Sequence, residues 1–173
     1  MNENSNIESR LVLLEQAMLT LQSENSRRES PIENASEEDA FWALEGLTTR
    51  SPEGGAVLYV GTVELPTGGA VQWQYGIGAE DLFAKDWSEQ ADALAALGHP
   101  IRLQILQAVL NGKTTVAQLV EQLDAGTSGQ IYHHLKELLS SRWLTSLRRG
   151  TYEVPPARIV PLMAILTAVG TPI

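Results

Sequence analysis

Apolar and polar positions alternate along the chain in a few distinct periods. Over residues 6–25, Ile7, Leu11, Leu14, Met18 and Leu21 recur at spacings of 4, 3, 4 and 3. This is the spacing of a heptad seam, and it predicts a helix with one apolar stripe. The stripe covers less than three heptads, and an isolated helix of that length is marginal in water. It needs a partner, either its copy in a dimer or the rest of its own chain. Leu11, Leu14, Met18 and Leu21 are therefore candidate dimerisation residues. Residues 22–36 are dominated by Ser, Asn and Glu, a linker composition.

The pattern then shortens. Ser36 followed by Asp39 predicts a helix start, and the helix runs through Phe41, Trp42, Leu44 and Leu47 to the breaker Ser51-Pro52-Glu53-Gly54-Gly55. Ala56–Leu65 and Ala70–Ile77 are rich in β-branched and aromatic residues, and Pro66-Thr67-Gly68-Gly69 lies between them. Two such runs around a glycine turn predict a β-hairpin. A lone hairpin is marginally stable, so it must lie on a helix or pair with another hairpin. Trp42, Tyr59, Trp73 and Tyr75 are candidate walls of a small-molecule pocket; the plainer reading makes them core. Residues 80–98 read as helical, with Leu94, Ala95 and Leu97 on an apolar stripe and Gly98 and Pro100 as the stop.

The next stretch is the most informative. Ile101, Leu103, Ile105, Leu106, Val109 and Leu110 predict a helix that stops at Asn111-Gly112. Thr114 or Thr115 caps a second helix carrying Val116, Leu119, Val120 and Leu123. After Asp124-Ala125-Gly126, Thr127 or Ser128 caps a third, with Ile131, Leu135 and Leu138 at i, i+4 and i+7. That is the helix-turn-helix pattern. Strand-forming residues 143–147 and 151–154 then flank Arg148-Arg149-Gly150, which predicts a hairpin with a positive tip, a wing. A recognition helix beside a basic wing suits double-stranded DNA: the helix enters the major groove and the wing reaches the flanking backbone. Pro156–Val169 is apolar on most sides and must be buried.

Charge adds weight to the division. The chain of 173 residues carries a net charge of −9. Residues 1–97 hold 5 basic and 17 acidic side chains, a net of −12, while residues 98–173 hold 7 and 4, a net of +3. The positive half is the one with the helix-turn-helix pattern, as a polyanion partner requires. With no cysteine, disulfide scaffolds, thiol nucleophiles and thiolate metal sites are excluded. No Ser/His/acid constellation, phosphate loop or metal box stands out, so the reading is a non-enzyme with no cofactor and no metal. Neither a secretion signal nor an apolar run long enough for a bilayer is visible, and the expected location is cytoplasmic.

The strings ALGHPIRLQIL (96–106), TTVAQLVEQL (114–123) and GQIYHHLKELLSSRWL (129–144) resemble the ArsR-like winged helix-turn-helix regulators. The resemblance covers about residues 88–155 and implies a DNA-binding, dimeric transcription regulator whose terminal helices form the dimer interface. Metal-sensing members carry a Cys-Val-Cys pair that falls here at Thr115 and Ala117, and residues 157–169 offer no Asp, Glu or His. Metal sensing is not carried over.

The expected fold is mainly α with small β, a winged helix-turn-helix with an N-terminal helix and a β-hairpin module. The expected division is 1–29, helix and linker start; 30–79, helix plus hairpin; and 80–173, DNA-binding domain with a C-terminal dimerisation helix. Candidate DNA contacts are Lys113, Thr127, Ser128, Gln130, Tyr132, His133, Lys136, Arg148 and Arg149. Leu162, Ile165 and Leu166 are candidate dimer residues, packing with residues 80–97 across a two-fold axis. His99 reads as a helix-junction residue, His134 as half-buried, and Arg102 as paired with an acid within the fold. The expected function is a homodimeric regulator acting as a repressor. The alternatives are a protein-interaction or antirepressor module on the same scaffold, and a regulator that senses a small-molecule or protein effector through residues 37–79.

Overall fold

A computed structural model describes residues 41–123 and 128–170. The heptad stripe with Leu11, Leu14, Met18 and Leu21, the linker and Thr127 lie outside the described residues. The chain divides into two compact units, Met1–Arg50 and Ser51–Ile173.

In the first unit, helix α1 spans Trp42–Arg50. The Thr48 and Thr49 hydroxyls donate to the carbonyls of Leu44 and Glu45 one turn back. Phe41, Trp42 and Leu44 are all exposed.

The second unit opens with the hairpin. Strands β1 (Ala56–Glu64) and β2 (Ala70–Gly78) pair antiparallel, with Tyr59 opposite Tyr75, Gly61 opposite Trp73 and Val63 opposite Val71. Side chains alternate across a strand, so these six positions share one face. That face packs on the C-terminal helix, as the marginal stability of a free hairpin requires. The approach is tight: a Cβ on Gly61 would come within 2.7 Å of Val160 Cγ1. Within its own unit the hairpin also contacts the short helix that follows it.

Residues 79–97 differ from the single helix expected over 80–98. Helix α2 (Ala79–Ala84), a 3-10 turn (Trp87–Gln90) and helix α3 (Ala91–Leu97) follow one another. The interruption has a local cause. Asp86 is extended and its carboxylate accepts from the Ser88 amide at 2.9 Å, so the side chain takes a hydrogen bond the helix would need. The Trp87 indole donates to the Leu82 carbonyl at 2.8 Å and ties the two pieces together.

The remainder is the helix-turn-helix with its wing: α4 (Pro100–Leu110), α5 (Val116–Leu123), α6 (Ser128–Ser140), β3 (Thr145–Arg148), β4 (Thr151–Glu153) and α7 (Pro156–Gly170). Ile105, Leu106, Leu119, Ile131, Leu135, Leu138 and Leu162 are fully buried and form its core. Thr115, Gln118 and the backbone close the start of α5: the amides of Thr114 and Thr115 donate to Gln118 Oε1 and the Gln118 amide donates to Thr115 Oγ1, a reciprocal cap. The segment before α5 also pairs with the wing, through the Tyr152 amide on the Thr114 carbonyl at 2.9 Å and a bridge between Thr115 and Thr151. Helix α7 is buried at Ile159, Val160 and Leu162, but Leu166 and Val169 near its end are exposed. The expected burial holds for its first half. Among the described residues no single helix is long and apolar enough to cross a membrane.

Candidate nucleic-acid interface

Helix α6 has two chemically distinct sides. Ile131, Leu135 and Leu138 are buried, as their i, i+4, i+7 spacing predicts. Gly129, Tyr132, His133, Lys136 and Ser140 follow the complementary spacing, and all are exposed, as are Ser128 and Gln130. The outward side thus carries a phenol and an imidazole in its first two turns and an ammonium in the third, with Glu137 half-buried beside Lys136. These groups can donate to phosphate and read base edges.

Only Ser141–Leu144 separate α6 from the wing. Within that link, Trp143 and Leu144 are buried. The Trp143 indole donates to the Ala93 carbonyl of α3 at 2.9 Å, and the Arg158 guanidinium lies 5.0 Å from its ring centroid. Trp143 thus fixes the root of the wing to α3 and α7, a positioning role that its place among strand-forming residues did not reveal. Arg142 bridges the end of α6 with φ of 60°, while the amides of Arg142 and Trp143 return to the carbonyls of Leu139 and Leu138. This is a helix stop of the kind that favours glycine.

The wing itself is short. Its register shifts between Ser146 and Arg148, and the Ser146 hydroxyl donates to the Arg148 carbonyl at 3.0 Å. Arg148 and Arg149 at the tip are exposed, next to Gly150 with φ of 74°. Lys113 is exposed in the turn before α5. Within the described residues Lys113, Lys136, Arg148 and Arg149 form no ion pair with an acid, so their charge is available to a polyanion. The fold brings the α6 contacts and the wing arginines onto neighbouring elements, with Lys113 on the strand-like segment beside β4.

The three histidines gather at the inner end of this surface, which their separation in the sequence hid. His99 caps α4, its Nδ1 accepting from the Ile101 amide at 3.2 Å, as a junction residue should. Its ring lies 4.6 Å from that of His134, which lies 5.6 Å from that of His133. His134 is half-buried as expected, but its Nδ1 is enclosed without a hydrogen-bond partner. Burial holds the His134 imidazole below its ordinary pKa, and the positive potential of His99, His133 and Arg102 adds to this, against a smaller opposing pull from Glu137. The expectation that Arg102 pairs with an acid is corrected. Its guanidinium donates to the Ala95 carbonyl at the end of α3, and its Nε is enclosed without a partner. Among the described residues no group of three or more His, Cys, Asp or Glu side chains is arranged to hold a metal ion.

The other candidate residues are more dispersed. Tyr59 and Tyr75 touch with ring centroids 5.7 Å apart, and Tyr75 and Trp73 are partly exposed on the same hairpin face. Trp42 belongs to the other unit. Of the C-terminal candidates, Leu162 is spent in the core of its own chain, Ile165 packs partly against that core, and Leu166 is exposed. Residues 99–145 match the model of a family described as bacterial regulatory protein, arsR family, a regulatory rather than enzymatic family. No match to the chain is found among the curated proteins or the solved structures.

Proposed function

We infer, from the ArsR-family helix-turn-helix domain at residues 99–145, that this DNA-binding regulator works as a homodimer and represses transcription by occupying promoter DNA. The observation that carries the reading is the character of one surface: the exposed side of α6, with Tyr132, His133 and Lys136, next to a wing tipped by Arg148 and Arg149. Gln130, Tyr132 and His133 supply base-edge and phosphate contacts, and Lys113, Lys136, Arg148 and Arg149 neutralise backbone phosphates. Ser128 donates from the first turn of α6, and Thr127 stands just before it.

Dimerisation is supported by apolar surface that a monomer leaves uncovered. Leu94 of α3 and Leu166 and Val169 of α7 are exposed, and the heptad stripe of residues 6–25 asks for a partner of its own. A two-fold dimer would set its recognition helices on half-sites about 34–36 Å apart.

Selection of genomic fragments by the purified full chain tests this reading. The expected result is a motif with two-fold symmetry and half-sites one helical turn apart. Gln130→Ala and His133→Ala should relax the motif, whereas Lys136→Ala should weaken every sequence alike. Failure to retain any duplex at low salt would end the reading in favour of a protein-interaction module, for which the −12 charge of residues 1–97 would be the working surface.

A further inference from the structure

We propose that the cleft between the hairpin, α4 and α7 is a binding site for a compact, apolar, uncharged molecule with one polar, hydrogen-bonding end, such as an aromatic amine. The cleft encloses about 530 Å³, within the range of small-molecule sites. Its walls are Leu103, Leu106 and Leu110 of α4, Leu162, Met163 and Leu166 of α7, and the end of β1 with the start of its turn.

The cleft is held open by the fold. On one side the hairpin lies so close to α7 that Gly61 has no room for a Cβ against Val160. On the other, the hairpin turn reaches the end of α4, where a Cβ on Gly112 would sit 3.1 Å from Thr67 Cγ2. Gly112 also has φ of 88°, a conformation that other residues adopt at a cost. Between these two close approaches the hairpin spans a gap it cannot collapse into. A pinned apolar cleft open to solvent on one side suits an occupant that takes its walls out of water.

The polar groups on the rim define that occupant. Glu64, Gln104, Gln107 and Asn111 line the cleft together with the apolar walls. Asn111 Nδ2 already donates to the Gln107 carbonyl at 2.8 Å. The side-chain amides of Gln104 and Gln107 make no hydrogen bond within the described residues, while Glu64 is exposed on the strand face opposite Val63. These amides can both donate and accept, and no cation lines the site to offset the burial of an anion, so an uncharged occupant with one polar end is favoured. The aromatic residues Tyr59, Trp73 and Tyr75 are not among the lining residues.

Coupling to DNA has a direct route. Leu106 faces the cleft and belongs to the same core as Ile131 and Leu135 beneath the recognition helix. A ligand that changes how α4 packs changes the support of α6, and the effect on affinity must be reciprocal. This second step rests on the regulator reading; occupancy of the cleft does not.

N-phenyl-1-naphthylamine, whose fluorescence rises in apolar surroundings, and its sulfonated analogue 8-anilino-1-naphthalenesulfonate separate these claims when titrated into the full chain without DNA. The neutral amine should saturate at one per chain and bind at least about tenfold tighter than the sulfonate, whose charge the apolar walls cannot pair. Met163→Trp and the rim variant Leu166→Trp should each weaken binding about tenfold or more by filling the cleft. Trp73→Ala with Tyr75→Ala should leave it unchanged. No saturable binding, indifference to both filling variants, or loss in the aromatic double variant would overturn the proposal. So would binding that vanishes as protein concentration rises, which gives the cleft to a second copy, or that appears only after proteolytic trimming of the N-terminal segment, which gives it to residues 1–40. If the amine binds yet leaves affinity for a selected duplex unchanged, the regulatory step falls. If no duplex binds at all, the regulator reading falls on its own.

Discussion

The second unit contains two antiparallel hairpins, and they are put to opposite uses. The β1–β2 hairpin has nine-residue strands, an apolar face and close approaches to the body at mid-strand and at its turn. The β3–β4 wing has strands of four and three residues, a register shift and two exposed arginines at its tip. Both carry glycines at their turns, and both look alike as sequence: strand formers on either side of a breaker. Their turn glycines are equally open, with nothing within 4 Å of a Cβ on Gly68, Gly69 or Gly150; what separates the hairpins is a glycine inside a strand of the first. Gly61 faces a neighbouring helix with no space to spare, whereas nothing lies within 4 Å of a Cβ on Gly150. The first glycine makes room for packing and the second only allows a turn.

The sharpest way to break this contrast is to add one methyl group at each site. Gly61→Ala should cost about 2–3 kcal/mol of stability in urea unfolding, because the new Cβ overlaps Val160. Gly150→Ala should cost about 1 kcal/mol, the backbone penalty alone. Removing the opposing methyls sharpens the test: Val160→Ala combined with Gly61→Ala should be less destabilised than the sum of the two, by about 1 kcal/mol or more. Equal costs at Gly61 and Gly150 would mean that the hairpin is not held against α7.

The root of the wing comes next. Trp143→Phe keeps the ring in the core but removes the donor to the Ala93 carbonyl, and should cost about 1–2 kcal/mol. The recognition helix adds a pH dependence. His134 is held below its ordinary pKa when folded, so the unfolded chain binds the proton more readily. The stability this represents is fully present above about pH 6.5, the unfolded value, and is lost as the pH falls through that value towards the lower folded pKa. Urea midpoints measured from pH 7.5 down to pH 5 should therefore decline, and His134→Leu should flatten the decline. The smallest effect is expected at Arg142, whose φ of 60° favours glycine. Arg142→Gly should raise stability by up to about 1 kcal/mol, read from the thermal midpoint.

Much of this architecture was legible beforehand because its periods are strong. The i, i+4, i+7 row Ile131, Leu135 and Leu138 fixed both the inner side of α6 and, by complement, Tyr132, His133 and Lys136 on the outer one. The hairpin was legible from Pro66-Thr67-Gly68-Gly69 between β-branched runs. Its docking partner was not, because only a packed structure reveals that Gly61 meets Val160. Asp86-Trp87-Ser88 was legible as the start of the stretch with Leu94, Ala95 and Leu97, but not that it separates two helices, which depends on the Asp86 side chain accepting from the Ser88 amide. Long-range meetings were hidden altogether. His99 and His134 lie far apart in the sequence and touch in the fold, and Trp143 reaches back to Ala93. Arg102 carried a charge that suggested an acidic partner, whereas it donates to the Ala95 carbonyl at the end of α3, which also accepts from the Gly98 amide.

The free hairpin is the one assigned to DNA, and its salt dependence measures that assignment most directly. Fluorescence anisotropy of the full chain with a selected duplex, repeated over a range of salt concentrations, gives the slope of log affinity against log salt. If Arg148 and Arg149 each neutralise a phosphate, the double variant Arg148→Ala with Arg149→Ala should reduce the magnitude of that slope by about 1.8 per wing, at about 0.9 per phosphate, with its urea midpoint unchanged. An unaltered slope in a normally folded double variant, or a wild-type chain that binds no duplex even at low salt, would contradict it.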